Sequence, residues 1–283
     1  MAPEVDVAVR EPATLAEGPL WDPGRNCLWW VDIDAGHLHR FDPAGGTDEV
    51  TEVGVAVGAV ALREDGGLIL AAGLGYATYD GELSWLGTVD RGVRMNDGKC
   101  DPAGRFLAGT MVEESRSGAA AFYRLERGRI SLLFGDVTIS NGLGWSPDGE
   151  TLYYIDTPRN AVWAFDYDVA SGAVARQRTF VDLSDYVGRP DGMAVAADGA
   201  IWVAMSRGGG AVHEFTPDGR PGRVVSIPTP FVTSVAFGGP NRSDLYVTTA
   251  RRALSGEPDP LAGCVFRARG LDTEGLPVAP YRL

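Results

Sequence analysis

Short runs of apolar residues alternate with tight polar turns along most of this chain of 283 residues. Runs that are rich in β-branched and aromatic residues, and that follow turns built from Asp, Pro and Gly, are typical of β-strands. Their near-continuous apolar character indicates strands that are buried on both faces. No segment has a helical period of useful length. The runs are Cys27 to Ile33, Leu68 to Gly73, Arg105 to Met111, Thr151 to Asp156, Ile201 to Met205 and Leu245 to Thr249.

A short phrase precedes each apolar run, and its six copies are spaced by 40, 39, 45, 50 and 43 residues. A repeat of this length that is rich in short strands predicts a propeller. We therefore expect an all-β fold, a six-bladed β-propeller with four-stranded antiparallel blades around a central channel, in which residues 1–283 form a single domain. The N-terminal segment Val5 to Val9 is expected to pair with the last blade and close the ring. The copies begin at Glu17, Val57, Asn96, Asn141, Asp191 and Ser234.

Composition narrows the possible functions. The formal net charge is −13 and the chain has no cluster of Lys and Arg, so a nucleic-acid partner is not expected. No apolar stretch is long enough to span a membrane, and the N-terminus does not resemble a signal peptide. The three cysteines have no regular spacing, which argues against a disulfide framework. We expect a cytoplasmic protein, either a monomer or a weak oligomer, that acts on a small molecule.

The first position of each repeat carries the candidate chemistry. Equivalent positions of all blades converge on the axis of a propeller, so Glu17, Asn96, Asn141 and Asp191 should face one another at one mouth of the channel. These side chains offer oxygen donors only, which suit hard divalent cations. Polar channel residues can instead hold water, but two facing carboxylates without a cation would repel each other. On geometry alone, all four residues are candidate ligands.

The residues two positions further along each innermost strand should also point into the channel, because strand side chains alternate. They are small or apolar, so the polar residues are expected to be confined to the mouth. These deeper positions are Pro19, Ala59, Gly98, Leu143, Met193 and Ala236.

The phrases also resemble those of a known family. Arg94 to Arg105 (RMNDGKCDPAGR), with Ala108 to Met111, is the most specific match, and three shorter phrases support it in order along the repeat. The chain thereby resembles the gluconolactonase, regucalcin (senescence marker protein) and luciferin-regenerating-enzyme family of six-bladed propellers, from about Ala16 to Phe266. The supporting phrases are Ala16 to Pro19, Ser140 to Leu143 and Pro190 to Met193.

The resemblance implies a divalent-metal-dependent lactonase that opens a sugar lactone to the sugar acid. One divalent cation would be held by Glu17, Asn141 and Asp191; the oxygen ligands favour Ca²⁺, with Zn²⁺, Mn²⁺ and Mg²⁺ as alternatives. Asp191 would also be the catalytic base. The resemblance assigns Arg94, Asn96 and Glu114 to the substrate, which moves Asn96 out of the metal shell. Glu114 lies in the segment Val112 to Ala120, which is shorter than in the animal members of the family.

Two other functions remain open at this stage. The same metal site could serve a hydrolase of non-sugar lactones or phosphotriesters, or a calcium-binding propeller without turnover. Arg94, Asn96 and Glu114 favour a hydroxylated substrate, because buried polar partners reject substrates that lack the matching group. The pattern does not predict the conformation of the rim loops 112–120 and 252–262.

Overall fold

The computed structural model describes residues 3–283, except the side chain of Ser115. Twenty-four strands form six four-stranded antiparallel sheets, and these are the six predicted blades. The described residues contain no α-helix, only single 3-10 turns at Glu114–Arg116 and Thr157–Arg159. Accordingly, none of the helices seen here has the length and apolar character needed to cross a bilayer.

The strands of the first half of the chain are β1 and the twelve strands of blades 1 to 3. They are β1 (Glu4–Val9); β2 (Ala16–Asp22), β3 (Cys27–Asp32), β4 (His37–Asp42) and β5 (Thr47–Glu52) in blade 1; β6 (Val57–Leu62), β7 (Leu68–Ala72), β8 (Gly75–Tyr79) and β9 (Leu83–Thr88) in blade 2; and β10 (Arg94–Cys100), β11 (Phe106–Met111), β12 (Ala120–Glu126) and β13 (Arg129–Val137) in blade 3.

The strands of the second half form blades 4 to 6. They are β14 (Ser140–Trp145), β15 (Thr151–Asp156), β16 (Ala161–Asp168) and β17 (Ala173–Asp182) in blade 4; β18 (Arg189–Val195), β19 (Ile201–Ser206), β20 (Ala211–Phe215) and β21 (Pro221–Ser226) in blade 5; and β22 (Val232–Gly238), β23 (Asp244–Thr249) and β24 (Val265–Arg269), which β1 completes, in blade 6.

The N-terminal strand closes the ring, as the sequence predicted. Strand β1 pairs with β24 and becomes the outermost strand of the last blade, with Val7 opposite Phe266. The pairing covers an edge that would otherwise present unpaired backbone groups to other chains.

The first strand of each blade lines the axis. Strands β2, β6, β10, β14, β18 and β22 contact one another in that cyclic order, so together they form the wall of the channel. A separate hydrophobic cluster fills each of the six spaces between neighbouring blades. Fully buried aromatic rings such as Trp30, Tyr154 and Trp202 belong to these clusters. The second strands therefore bury both faces, which explains their continuous apolar sequence.

Every innermost strand has a shift in pairing register at or next to the first position of its repeat, as at Asn141 to Leu143. A bulge of this kind breaks the alternation of side chains. The prediction that all polar channel residues are confined to the mouth is therefore wrong. Leu143 and Met193 pack into the clusters between blades, whereas Asp97 and Lys99 line the channel below the mouth.

The glycine of the repeated phrase has a packing role at this bulge. A Cβ on Gly58 would lie 2.1 Å from the Asn96 carbonyl oxygen, and one on Gly142 would lie 2.7 Å from the Asp191 carbonyl oxygen. Any side chain there would push neighbouring inner strands apart. Glycine thus allows the residues at the mouth to approach one another.

Candidate functional site

The mouth of the channel is defined by strand direction. The first strand of each blade begins there, and the antiparallel second strand returns to the same end. The connections that follow the second strands therefore form a rim around the mouth. Glu114 follows β11, Thr157 follows β15, Arg207 follows β19 and Arg252 follows β23.

The three residues that the sequence analysis predicts as metal ligands lie together at this mouth. They are Glu17, Asn141 and Asp191. Glu17 and Asn141 are buried, with 6% and 4% of their surfaces exposed, and Asp191 keeps part of its surface open. The charge of Asp191 raises the pKa of Glu17, and the Asn141 amide lowers the pKa of Asp191. Residues from blades 1, 4 and 5 are thereby brought into one site.

Burial and neighbouring negative charge destabilise the ionised form of both carboxylates. Burial, followed by repulsion from Asp191 and Asp97, raises the pKa of Glu17 well above its ordinary value. Burial raises the pKa of Asp191 to about 7, and the negative charge of Asp97 adds to the rise. A positive charge placed between the two carboxylates would relieve this strain.

The Asn141 carboxamide is oriented by a short chain of hydrogen bonds. Asn141 Nδ2 donates to Thr157 Oγ1 over 2.9 Å, and Thr157 Oγ1 donates to the Pro190 carbonyl oxygen, also over 2.9 Å. This arrangement leaves Asn141 Oδ1 buried without a hydrogen-bond partner among the described residues. Burying an acceptor without a donor costs free energy of folding. A ligand that pairs with this oxygen would therefore stabilise the site.

The donor set therefore fits a hard divalent cation. It contains two carboxylates and one carboxamide oxygen, all of a type that such cations prefer. The described residues contain no group of three or more His, Cys, Asp and Glu side chains placed to hold a metal, so any site here depends on the asparagine.

Asn96 is also at the mouth, but its carboxamide is engaged at both ends. Asn96 Oδ1 accepts a hydrogen bond of 2.6 Å from Arg94 Nη1, and Asn96 Nδ2 donates one of 2.6 Å to the Ser140 carbonyl oxygen. An oxygen that already faces a guanidinium is a poor cation ligand. The geometry thus favours the assignment of Asn96 to the substrate side, next to Arg94.

Arg94 lies between the metal-ligand candidates and the rim. Burial lowers the pKa of Arg94, while the carboxylates of Asp34 and Glu17 oppose that shift. Its Nη1 also donates to the Met95 carbonyl oxygen over 3.0 Å. Its guanidinium is therefore held in place beside the mouth.

Glu114 belongs to the rim rather than to the mouth itself. It begins the 3-10 turn Glu114–Arg116, is largely exposed, and forms an ion pair of 2.7 Å with Arg207. This pair joins the rim loops of blades 3 and 5. Sequence reasoning identified Glu114 but not its partner, because the two residues lie 93 positions apart.

Two charged residues below the mouth were missed. Asp97 is buried, and Lys99 Nζ donates to the Met193 carbonyl oxygen over 3.0 Å, across the channel from blade 3 to blade 5. Burial lowers the pKa of Lys99, and the negative charge of Asp97 opposes this shift. Both residues stand in the phrase Asn96-Asp97-Gly98-Lys99, whose density of polar side chains on an innermost strand was the available signal.

Asp97 and Lys99 line a cavity of about 390 Å³ that continues towards the other end of the channel. The C-terminal segment crosses its floor, and residues Gly275 to Ala279 line it. Backbone hydrogen bonds hold the segment at both ends. Gly275 N donates to the Arg242 carbonyl oxygen, and Tyr281 N donates to the Leu62 carbonyl oxygen. The rim and the floor of the channel are thus built from different parts of the chain.

Comparison with known proteins agrees with this architecture. A family model described as "SMP-30/Gluconolactonase/LRE-like region" matches residues 15–251. Regucalcin from Bos taurus is 36% identical over 300 residues, which cover 98% of each chain. A solved luciferin-regenerating enzyme superposes over the full length of both chains with a TM-score of 0.91 at 28% identity.

A second solved structure is a calcium-binding protein, regucalcin, from Agrobacterium tumefaciens. It superposes with a TM-score of 0.91 at 30% identity and covers 100% of this chain and 98% of its own. Such matches over nearly the whole length show the family as well as the fold. The chain belongs to the SMP-30/gluconolactonase/LRE-like family, and this membership supports a lactonase-type hydrolase.

Proposed function

We propose that this protein is a divalent-metal-dependent hydrolase that opens a sugar lactone to the sugar acid. The observation that carries the proposal is Asn141 Oδ1, which is buried and has no hydrogen-bond partner among the described residues, at the mouth where Glu17 and Asp191 also lie. Family membership supports the hydrolase class. The named relative from Agrobacterium tumefaciens is described as calcium-binding, which agrees with a cation at this mouth.

Glu17, Asn141 and Asp191 would hold the cation. When bound, a divalent cation there supplies a Lewis acid for the lactone carbonyl and lowers the pKa of the attacking water. Oxygen-only donors favour Ca²⁺, with Mn²⁺, Mg²⁺ and Zn²⁺ as alternatives.

Asp191 serves as the general base. It is a carboxylate at the mouth with part of its surface open, so a water molecule held there can reach it and transfer a proton to it. Asp191 takes one proton from the water that attacks the carbonyl carbon. The bond between that carbon and the ring oxygen then breaks, and Asp191 gives the proton to the ring oxygen, which leaves a hydroxy acid and restores the Asp191 carboxylate.

Arg94 and Asn96 orient the sugar hydroxyls. The Arg94 guanidinium is held by Asn96 Oδ1 and by the Met95 carbonyl oxygen, so its remaining N–H groups keep a fixed direction. Glu114 on the rim accepts hydrogen bonds from hydroxyls further from the reacting carbon. A site built from such donors and acceptors rejects a plain alkyl lactone, which leaves them unpaired.

A panel of lactones tests the proposal. Protein freed of metal with a chelator is assayed on aldonolactones, an alkyl lactone and a phosphotriester, with each divalent cation then added back. We expect turnover that needs a cation and is highest on an aldonolactone. Turnover of only the alkyl lactone or the phosphotriester would support those alternative hydrolases. Cation binding without any turnover would support a calcium-binding propeller.

A further inference from the structure

Two arginines on the rim have no role in the hydrolysis described above. Arg207 follows the second strand of blade 5, and Arg252 follows the second strand of blade 6. Both connections return to the end of the channel where Asp191 lies. About half of each side chain is exposed, so both are accessible to a ligand at the mouth.

Arg207 is held over the mouth by Glu114. Its Nη1 donates to Glu114 Oε1 over 2.7 Å, and this contact joins the connection after β19 to the connection after β11, both of which lie at the mouth end of the channel. Within the described part of the chain this contact uses one of the five N–H donors of the guanidinium. The outer edge of Arg207 is free to bind an acceptor.

Arg252 lies on the neighbouring side of the same rim. Its Nη2 donates to Asp34 Oδ2 over 3.3 Å, and its charge contributes to the lowered pKa of Arg94. The loops that carry the two arginines touch, because a Cβ on Gly208 would lie 3.5 Å from Leu254 Cδ1. Arg94, Arg207 and Arg252 therefore surround one opening.

These guanidinium groups exceed the needs of a neutral sugar lactone. The sugar hydroxyls are already matched by Arg94, Asn96 and Glu114, whereas the planar fork of a further guanidinium matches the paired oxygens of a carboxylate or a phosphate. A divalent cation at the mouth would neutralise the charges of Glu17 and Asp191, which would otherwise repel an anion. Glu114 and Asp34 each balance one rim arginine, so the rim offers free guanidinium N–H donors rather than an excess of positive charge.

We propose that the substrate is a lactone bearing a second, anionic group, which Arg207 and Arg252 bind at the rim while the lactone carbonyl lies at the mouth. The inference rests on the proposed lactonase function. The two ion pairs are mostly exposed and each is weak, so an incoming anion can share or replace Glu114 and Asp34 at little cost. A carboxylate or a phosphate ester would supply the same anionic oxygens.

The first experiment compares three lactones of one sugar on the metal-supplied protein. They are a neutral aldonolactone, an aldarolactone with a carboxylate at the far carbon, and an aldonolactone phosphorylated at that carbon. We expect kcat/KM for one anionic lactone to exceed that for the neutral one by about tenfold or more, since hydrogen bonds to charged groups are each worth about that factor. Whichever anionic lactone is preferred identifies the carboxylate or the phosphate as the natural group.

Variants locate the effect on the protein. Arg207→Gln and Arg252→Gln should each lower kcat/KM more for the anionic lactone than for the neutral one, by roughly tenfold in the ratio. Arg282→Gln is the matched control: Arg282 forms an exposed ion pair of 3.1 Å with Glu64 near the floor of the channel. It should alter neither rate.

A second readout does not depend on turnover. Calorimetry measures the binding of the ring-opened dicarboxylate and of the monocarboxylate to the wild-type chain and to the three variants. Tighter binding of the dicarboxylate that is lost in Arg207→Gln and Arg252→Gln supports the proposal, even if no lactone is hydrolysed. Hydrolysis of the neutral lactone with no preference for an anionic one, together with equal binding of both acids, would overturn it while leaving the lactonase function standing.

Discussion

Thr157 holds Asn141 by a hydrogen bond of 2.9 Å between Thr157 Oγ1 and Asn141 Nδ2, and this contact directs the other end of the carboxamide away from its own blade. Thr157 in turn donates to the Pro190 carbonyl oxygen, one residue before Asp191. One hydroxyl therefore connects two candidate metal ligands from blades 4 and 5.

The first prediction concerns this hydroxyl. Thr157→Val keeps the shape of the side chain but frees the Asn141 carboxamide to rotate, so the affinity for the divalent cation should fall by about 10- to 100-fold. Isothermal titration calorimetry on chelated protein measures the change. Thr229→Val is the matched control, because Thr229 is buried and its hydroxyl has no partner among the described residues. Equal affinities of the two variants would contradict the role given to Thr157.

The second prediction concerns pH and the metal-free protein. The folded-state pKa values of Glu17 and Asp191 are raised by burial and by neighbouring negative charge, so the folded state binds more protons than the unfolded chain. Stability should therefore decline as pH rises from about 4, where unfolded carboxyl groups titrate, through the pKa of about 7 of folded Asp191. Thermal unfolding in chelator at a series of pH values measures this decline, and Asp191→Asn should reduce it.

The same carboxylates link cation binding to pH. Protons and the cation compete for Glu17 and Asp191, so a fixed concentration of cation should raise Tm more at pH 8 than at pH 5. A cation effect on Tm that is equal at both pH values would mean that the cation binds elsewhere.

The third prediction concerns Lys99. Of the 25 Lys and Arg residues in the sequence, it is the only lysine. Lys99→Met removes the donor to the Met193 carbonyl oxygen and leaves buried Asp97 without its neighbouring positive charge. We expect a loss of about 1–3 kcal/mol in the free energy of unfolding, measured with urea. We also expect a lower kcat at similar KM, because Met193 follows Asp191 by two positions on β18. Arg282→Met, on the exposed floor, should stay within about 0.5 kcal/mol of wild type.

The fourth prediction concerns closure of the ring. A chain that lacks residues 1–9 has no β1, so the edge of β24 is left unpaired and the ion pair of 3.1 Å between Arg267 and Asp6 is lost. Such an exposed edge can pair with other chains. Size-exclusion chromatography with light scattering should show oligomers or aggregates, with a lower Tm. A truncated chain that stays in the association state of the full-length protein, with an unchanged Tm, would show that β1 is dispensable.

The repeated phrase was enough to predict six blades, the innermost strands and the closing strand β1. Spacing and turn chemistry are local properties of the sequence, and the propeller symmetry converts them into positions around an axis. For the same reason Glu17, Asn141 and Asp191 could be expected at one mouth, where the structure brings them together, and their role as metal ligands stays a prediction.

What the sequence did not reveal depends on irregular geometry. The bulge in each inner strand changes which side chains face the channel, so Asp97 and Lys99 line it beside Pro19, Gly98 and Ala236, three of the expected small residues. Contacts between distant loops, such as Glu114 with Arg207, have no periodic signal. The C-terminal segment across the floor belongs to no blade, so the repeat in the sequence does not predict its path.

The most direct test of the central claim is a single titration in which cation binding and lactone hydrolysis are followed together. Chelated protein is titrated with Ca²⁺ and, in parallel, with the cation that best restores activity, on a saturating aldonolactone. The account predicts that turnover rises from the uncatalysed rate in proportion to occupancy and saturates at one cation per chain, and that Asn141→Ala shifts both curves together to higher concentration. Full turnover in chelator, or saturation of the site without turnover, would contradict it.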